Sequence, residues 1–400
     1  MKKILIFSHA MEIGGAEKAL LGLLETIDTT KYSVDLFLMR HTGELMKYIP
    51  KNINLLPEIP QYASLAIPIM DAVKKRQFAV AYGRLIGKLK AKKRVVKLNL
   101  SEDNQVALEY SHKYTVRYMP CINDQDYDLA ISFLTPHYFV ANKVKAKKKV
   151  AWIHTDYSCI GIDVESEKRM WSKYDHIISI SDEVTNSFLR IFPELKDRIL
   201  MIENILPADY IHNMADTFSA EVEMPNDGTI KLLSIGRFSF PKRFDEVPAI
   251  CKRIKESGVN ITWYLIGYGG DEQLIRQKIR EENVENKVIL LGKKENPYPY
   301  INACDFYIQP SRYEGKSIAV REAQFLGKPV IITNYSTAHS QVKDGYDGVT
   351  VPMELEQCAL EIGNIICDKN ICCKLKNNLN QSDIANKSEI LKLYRIIDNT

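Results

Sequence analysis

The 400-residue sequence predicts an α/β chain of two Rossmann-like, doubly wound domains facing a central cleft. Three observations lead there. The length exceeds what one ordinary hydrophobic core organises. Two β-α-β openings occur, at residues 2–39 and 230–266, and that pattern implies a parallel sheet with a right-handed crossover. In the second half, five short apolar runs each stop at glycine, proline or asparagine. Ligands of open parallel sheets bind beyond the carboxyl ends of the strands, so those stops mark the functional edge.

Residues 2–7 (KKILIF) read as a buried first strand. Gly14-Gly15 closes a loop before residues 16–24, whose alanines and leucines favour helix. Residues 32–39 (YSVDLFLM) are the second strand, and further strands are expected at 128–133, 149–153, 176–181 and 200–205. Ser181 is placed to cap a helix starting near Asp182. From 206 to 227 the pattern weakens around Pro207, Pro225 and the turn pair Asp227-Gly228. The second series then begins at 230–235, followed by Gly236-Arg237 and a helix from about Arg243. Strands at 260–266, 287–291, 305–309 and 329–333 end at Gly267, Gly292, Pro310 and Asn334. The tail, 359–399, has the spacing of two helices. The expected domains are 1–205, a linker at 206–227, and 228–385, with 386–400 a C-terminal helix packing back on the first domain.

The apolar and charged fractions are those of a water-soluble globular protein. No stretch approaches the ~20 apolar residues of a membrane helix. The N-terminal apolar run is broken by His9 and Glu12, unlike a signal peptide. Eight cysteines are scattered without a CxxC pair, so reduced thiols in the cytoplasm are expected, with neither a zinc site nor a disulfide framework. The net charge is +4 overall, but residues 1–205 carry +6 of it and the remainder −2. Residues 74–97 (KKRQFAVAYGRLIGKLKAKKRVVK) hold ten basic residues and no acidic one. Phe78, Val80, Tyr82, Leu85, Ile86 and Leu89 are interspersed. That composition suits an amphipathic helix on an anionic membrane surface, or a merely solvated basic face. No recognition motif accompanies the charge, so nucleic acid is not the expected partner.

The second half holds the residues with chemistry. Gly236-Arg237 followed by Lys242 brings an arginine fork and a lysine point charge into one strand-end loop, which suits a diphosphate or two solvated cations. The stretch PSRYEGKSIAVREAQFLGKP places Glu314 in a loop and Glu322 in the helix that follows. Gly315 permits close backbone approach, and the helix start offers free N–H groups to an anion. Carboxylates accept hydrogen bonds from vicinal hydroxyls without a metal, so the pair could hold a sugar and a ribose; surface glutamates are the ordinary alternative. In the first half Gly14-Gly15 lacks the spaced third glycine of the dinucleotide fingerprint. Of the eight histidines, His154 in AWIHTDY follows a strand end and is the candidate.

With these residues in view, the sequence resembles the retaining glycosyltransferases of family 4, glycosyl transferases group 1, of bacterial polysaccharide type and GT-B architecture. The match is most specific in SIGRFSFPKR, LIGYGGDEQL, the segment from LLGKKENPYPY to KPVIITN, and DGYDGVTVP. Glu314-x7-Glu322 is that family's hallmark, and GGAEKALLGLL and WIHTD are looser matches. The resemblance implies that Arg237 and Lys242 hold a donor diphosphate. It gives Glu314 the transferred sugar, Glu322 the ribose, and the Lys316–Ser317 backbone the phosphate or sugar. The backbone around Lys293 would meet the base, Gly15 would approach donor phosphate or sugar, and His154 would touch the sugar from the opposite lobe. Lys316 stands where many members carry an aromatic residue. No cofactor or metal is implied: the substrate is a UDP- or GDP-linked sugar, transferred with retention to a glycan or polyprenyl-diphosphate-linked acceptor. The implied setting is capsule, exopolysaccharide or O-antigen assembly at the cytoplasmic leaflet. A nucleotide-sugar epimerase of the same architecture and a non-catalytic nucleotide-sugar or nucleic-acid-binding protein are the alternatives. Residues 40–125 match nothing, so the acceptor is unassigned.

Overall fold

The structure, a computed structural model, describes residues 1–398 except 101–103 and 315, with Cys159 described by its backbone alone. The chain forms two compact units: Met1–Leu206 with the residues from Asn386 onward, and Pro207–Ala385.

The first unit is built on a parallel sheet of seven strands: β1 (Lys2–Ser8), β2 (Tyr32–Leu38), β3 (Asn54–Leu55), β4 (Asp126–Ser132), β5 (Lys145–Ile153), β6 (His176–Ser179) and β7 (Ile199–Met201). Their order is β3-β2-β1-β4-β5-β6-β7, reversing between β1 and β4. Ile4 to Phe7 are wholly buried, as a central parallel strand covered on both faces requires. The second unit repeats the plan with β8 (Ile230–Ile235), β9 (Ile261–Ile266), β10 (Val288–Gly292), β11 (Phe306–Gln309), β12 (Val330–Thr333) and β13 (Val349–Val351). Their order is β10-β9-β8-β11-β12-β13, with the reversal between β8 and β11. All paired strands are parallel, so both units are the doubly wound sheets expected.

The short edge strands β3 and β13 escaped the sequence reading because two or three residues carry no periodicity. The strand expected at 200–205 is only Ile199–Met201. The helix expected from Arg243 begins at Val247. Phe240–Lys242 is instead a 3-10 turn ended by Arg243, whose φ is +59°. The buried Arg243 guanidinium donates to the Met353 carbonyl and to Glu246, which holds the residue in that conformation. Ser181 caps Asp182–Ile191 by accepting from the Val184 amide at 3.3 Å. The tail forms three helices, not two: Leu355–Cys367, Lys369–Gln381 and Ile390–Asp398. Asp368 separates the first two, capping the second through the Asn370 amide at 2.8 Å. The last helix buries Leu393 and Ile397, stacks Tyr394 on Tyr32 at 4.8 Å, and accepts a hydrogen bond from Lys2 at the Ile397 carbonyl.

The basic stretch is the helix Phe78–Leu98. Val80 and Ala91 are buried on its inner face. Gly83 and Gly87 leave no room for a methyl group there, since a Cβ would lie 2.8 Å from Thr115 and 2.6 Å from the Tyr110 carbonyl. Phe78, Tyr82, Leu85, Leu89 and Val96 are exposed on the other side. Arg84 donates inward to the Ser64 and Ile67 carbonyls, and Arg94 pairs with Asp163 at 2.7 Å. Among the described residues no helix is long and apolar enough to cross a membrane.

Candidate active site

In the second unit the loops after β8, β9 and β10 are bonded to one another. The Gly236 amide donates to Ile266, Phe238 to Tyr268, Asp271 to Phe238, and Gly267 to Gly292, all at 2.9–3.1 Å. Glycine is required at 267, where a Cβ would lie 1.9 Å from the Gly236 carbonyl oxygen. The loops thus form one rigid rim, not three independent ones. Arg237 projects from it, exposed, with no side-chain partner among the described residues. Lys293 is also exposed and lies 5.4 Å above the Tyr268 ring.

Lys242 and Glu314, 72 residues apart in sequence, form an ion pair at 2.5 Å. Two networks fix it. A hydrogen-bonded chain runs from the Tyr307 hydroxyl to Gln309 (2.8 Å), from Gln309 to Ser311 (2.9 Å), and from Ser311 to the Glu314 carboxylate (2.7 Å). Arg312 clamps the other side. Its fork grips Asp245 at 2.9 and 2.8 Å, and it donates to Glu246 at 2.6 Å. It also donates to the Phe240 carbonyl and stacks on that ring at 4.2 Å. The Phe240–Lys242 turn is therefore tied to the Glu314 loop by a bidentate ion pair, the strongest common polar contact.

Glu322 is buried in the helix Ile318–Phe325 and accepts a 2.7 Å hydrogen bond from the Tyr298 hydroxyl. Burial pushes the Tyr298 phenol well up, so it remains a donor. Burial, with the charges of Glu314 and Glu322 adding to it, pushes the Tyr307 phenol well up. Gly315 lies outside the described residues. Lys316 is half-buried, and the Ser317 amide donates to Gln341 Oε1 at 2.6 Å. That N–H, expected to be open to a phosphate, is already occupied; an anion reaches it only if Gln341 withdraws. Gln341 is itself buried, with its Nε2 unpartnered. Tyr335, buried near Glu314, also has an unpartnered hydroxyl.

The sequence reading passed over Arg312, Tyr298 and Gln341. Arg312 carried a signal, as a cation two residues from Glu314 in a strand-end loop. Tyr298 and Gln341 carried none, because their partners are fixed only by the fold.

Gly15 and His154 belong to the first unit. Gly15 begins the helix Gly15–Thr26, is exposed, and no side chain caps that helix. His154 follows β5, with its ring 4.7 Å from Phe133. Burial lowers its pKa to about 4, so it is neutral near pH 7, and its Nε2 has no hydrogen-bond partner. Among the described residues no cluster of three or more His, Cys, Asp and Glu side chains is arranged to hold a metal ion.

Residues 216–382 match the family model of glycosyl transferases group 1. An uncharacterized glycosyltransferase of Methanocaldococcus jannaschii is 27% identical over 229 residues, 53% of this chain and 57% of that protein. A UDP-Gal:alpha-D-GlcNAc-diphosphoundecaprenol alpha-1,3-galactosyltransferase of Escherichia coli is 28% identical over 111 residues, 28% of each chain. The chain thus spans just over half the length of the first relative and less of the second. The crystal structure of HepE from Anabaena in complex with UDP aligns over 99% of this chain and 100% of that one, with a TM-score of 0.62 at 15% identity. That likeness is one of fold, and it is the GT-B fold expected above.

Proposed function

We propose that this chain, whose residues 216–382 belong to glycosyl transferases group 1, moves a sugar from a nucleoside diphosphate to a glycan or lipid-linked acceptor. The observation that carries this reading is the Lys242–Glu314 pair, held by the Arg312 clamp beside the exposed Arg237. A nucleoside-diphosphate sugar offers a partner to each member: diphosphate oxygens to Lys242 and Arg237, and sugar hydroxyls to Glu314. Glu322, held by Tyr298, takes the ribose hydroxyls. As the glycosidic bond breaks, negative charge grows on the departing diphosphate, and fixed cations stabilise it there more than in the ground state. The reaction runs with retention and without a metal, the leaving phosphate accepting the acceptor's proton. Glu314 is then a sugar-binding group, not a nucleophile. Acceptors of the lipid-linked saccharide class suit the reading, since the E. coli relative is named for one.

Thermal unfolding with and without donors tests this. A UDP- or GDP-sugar that binds only the folded chain at 100 times its Kd should add about 2.7 kcal/mol of stability, and Lys242→Ala should reduce the shift. If no nucleotide sugar raises the midpoint, the donor site is wrong.

The helix Phe78–Leu98 supports a peripheral position on an anionic bilayer. Its exposed apolar ridge, spaced four, three and four residues apart from Phe78 to Leu89, is flanked by exposed Lys88, Lys92, Lys93 and Lys97. Each lysine near such a surface contributes about 1 kcal/mol. Co-sedimentation with phosphatidylglycerol vesicles is expected at low salt and should be lost with Leu85→Glu/Leu89→Glu. Equal binding to zwitterionic vesicles would rule out this orientation.

A further inference from the structure

The side chains that lead from β11 to Glu314 form a hydrogen-bonded series with a fixed direction. The Tyr307 hydroxyl donates to Gln309 Oε1 at 2.8 Å, which turns the amide so that its Nε2 faces Ser311. Nε2 donates to Ser311 Oγ at 2.9 Å. A hydroxyl has one proton, so Ser311 gives its own to Glu314 Oε1, at 2.7 Å. Tyr307, Gln309 and Ser311 are wholly buried, so bulk water does not replace a missing link. The backbone is pinned as well. Thr333 Oγ1 donates to the Ser311 carbonyl at 2.5 Å, and Thr337 Oγ1 to the Glu314 carbonyl at 2.8 Å.

The series ends on the same oxygen that Lys242 takes, since Lys242 Nζ also pairs with Glu314 Oε1. A carboxylate oxygen has two lone pairs, and these two donors occupy both on Oε1. Oε2 has no partner among the described residues. It is open to solvent: the side chain is 10% exposed, and Oε2 is not one of the sealed, unpartnered atoms. Rotating the carboxylate to bring Oε1 outward would break two charge-assisted hydrogen bonds together. Glu314 therefore offers a ligand one oxygen, not two. Lys242 has three donors and uses one here, so it reaches an anion without releasing Glu314.

We infer that Tyr307, Gln309 and Ser311 are positioning residues: with Lys242 they occupy Glu314 Oε1 and present Oε2 alone, so Glu314 takes one hydroxyl of the bound sugar and not a vicinal pair. The inference rests on the nucleotide-sugar reading only in naming the hydroxyl as the donor sugar's. It deepens that reading by giving three buried residues a part in sugar recognition, although none of them touches the ligand.

A double-mutant cycle of Tyr307→Phe with Glu314→Gln, read by urea unfolding of the full chain, tests the series with no ligand present. Two other side chains separate this pair, so without the series the two effects add. A coupling of at least threefold in the unfolding constant is expected, and additivity overturns the inference. Isothermal titration then measures what the sugar adds: the affinity for UDP-glucose, UDP-galactose, UDP-N-acetylglucosamine or GDP-mannose relative to UDP or GDP alone. For the nucleotide sugar that binds, Ser311→Ala should lower this ratio about tenfold, the effect of one charge-assisted hydrogen bond. Tyr307→Phe, which leaves the Glu314 loop intact, should lower it about threefold. Neither should change the UDP or GDP affinity more than twofold. An unchanged ratio in both variants, or an equal loss for the bare nucleotide, overturns the inference. With the 2-, 3-, 4- and 6-deoxy forms of the same sugar, the penalty of Glu314→Gln should vanish at one ring position. Its vanishing at two adjacent positions would mean that both oxygens are used, and overturns the single-oxygen assignment. If none of these nucleotides binds, the donor reading fails and the hydroxyl assignment with it, while the unfolding cycle alone decides the series.

Discussion

Lys242→Ala is expected to slow sugar transfer by roughly 10²–10³-fold, the cost of removing one fixed charge-stabilising group from a developing anion. The effect should fall on both kcat and kcat/KM, because the diphosphate gains its full charge only as the bond breaks. Folding should survive, since the lysine side chain is about one-fifth exposed and belongs to a surface turn. Its removal leaves the Glu314 carboxylate, about one-tenth exposed, with Ser311 as its remaining side-chain donor. A buried charge stripped of its partner destabilises, so the single variant alone confounds chemistry with stability. Pairing it with Glu314→Gln resolves this. The double variant removes the stranded charge and should recover the unfolding midpoint without recovering transfer, whereas Glu314→Gln by itself should lose transfer through the sugar contact. A double-mutant cycle on both readouts then gives a coupling energy in stability separate from that in rate. Wild-type turnover in Lys242→Ala or Glu314→Gln would remove these residues from the site.

The sequence allowed this pair to be nominated but not joined. Strand ends were legible because buried parallel strands are continuous apolar runs that stop at turn residues: β9, ITWYLI, is buried at all six positions and followed by Gly267. Lys242 and Glu314 were legible as charged residues in two such stops, but their contact depends on β8 and β11 being neighbours in the sheet. Strand order is a long-range property that a linear pattern does not carry. Arg312 stood in plain view within PSRYEG, but its role depends on Asp245 and Glu246, which the sequence assigned to a helix. The first unit's cavity beyond β5 was least legible, since its lining is drawn from residues 105–171 across one strand, three helices and the loops between them, with only the WIHTD segment as a motif. His154 was picked for its place after a strand end, while Glu109 and Glu167 were not singled out.

Those buried groups also predict that the first unit loses stability between pH 7 and pH 5 while the second does not. Burial holds His112 and His137 at about 3 and His154 at about 4, against an ordinary value of 6.5. A base with a depressed folded pKa contributes stability that is present above its unfolded pKa and is lost as the pH falls toward the folded one. At pH 5 each imidazole therefore costs about 2 kcal/mol relative to neutral pH, because only the unfolded chain takes up the proton. Glu167 acts with the opposite sign. Burial, with Glu109 nearby, raises it from 4.5 to about 7, so its stability is present below 4.5 and disappears as the pH rises through 7. Acidification to pH 5 returns about 2 kcal/mol from Glu167. Three imidazoles outweigh one carboxyl, and the net loss is about 3–4 kcal/mol. Urea unfolding followed by fluorescence reads it, since Trp152 and Trp171 lie in the first unit and Trp263 in the second. The first unit's midpoint should drop at pH 5 with the second nearly fixed. Glu167→Gln should raise stability at pH 7 and steepen the fall, because the opposing titration is gone. A first-unit midpoint that stays level from pH 7 to 5 would mean that the imidazoles are protonated or hydrated in the folded chain, and the neutral, partner-seeking His154 would be lost with them.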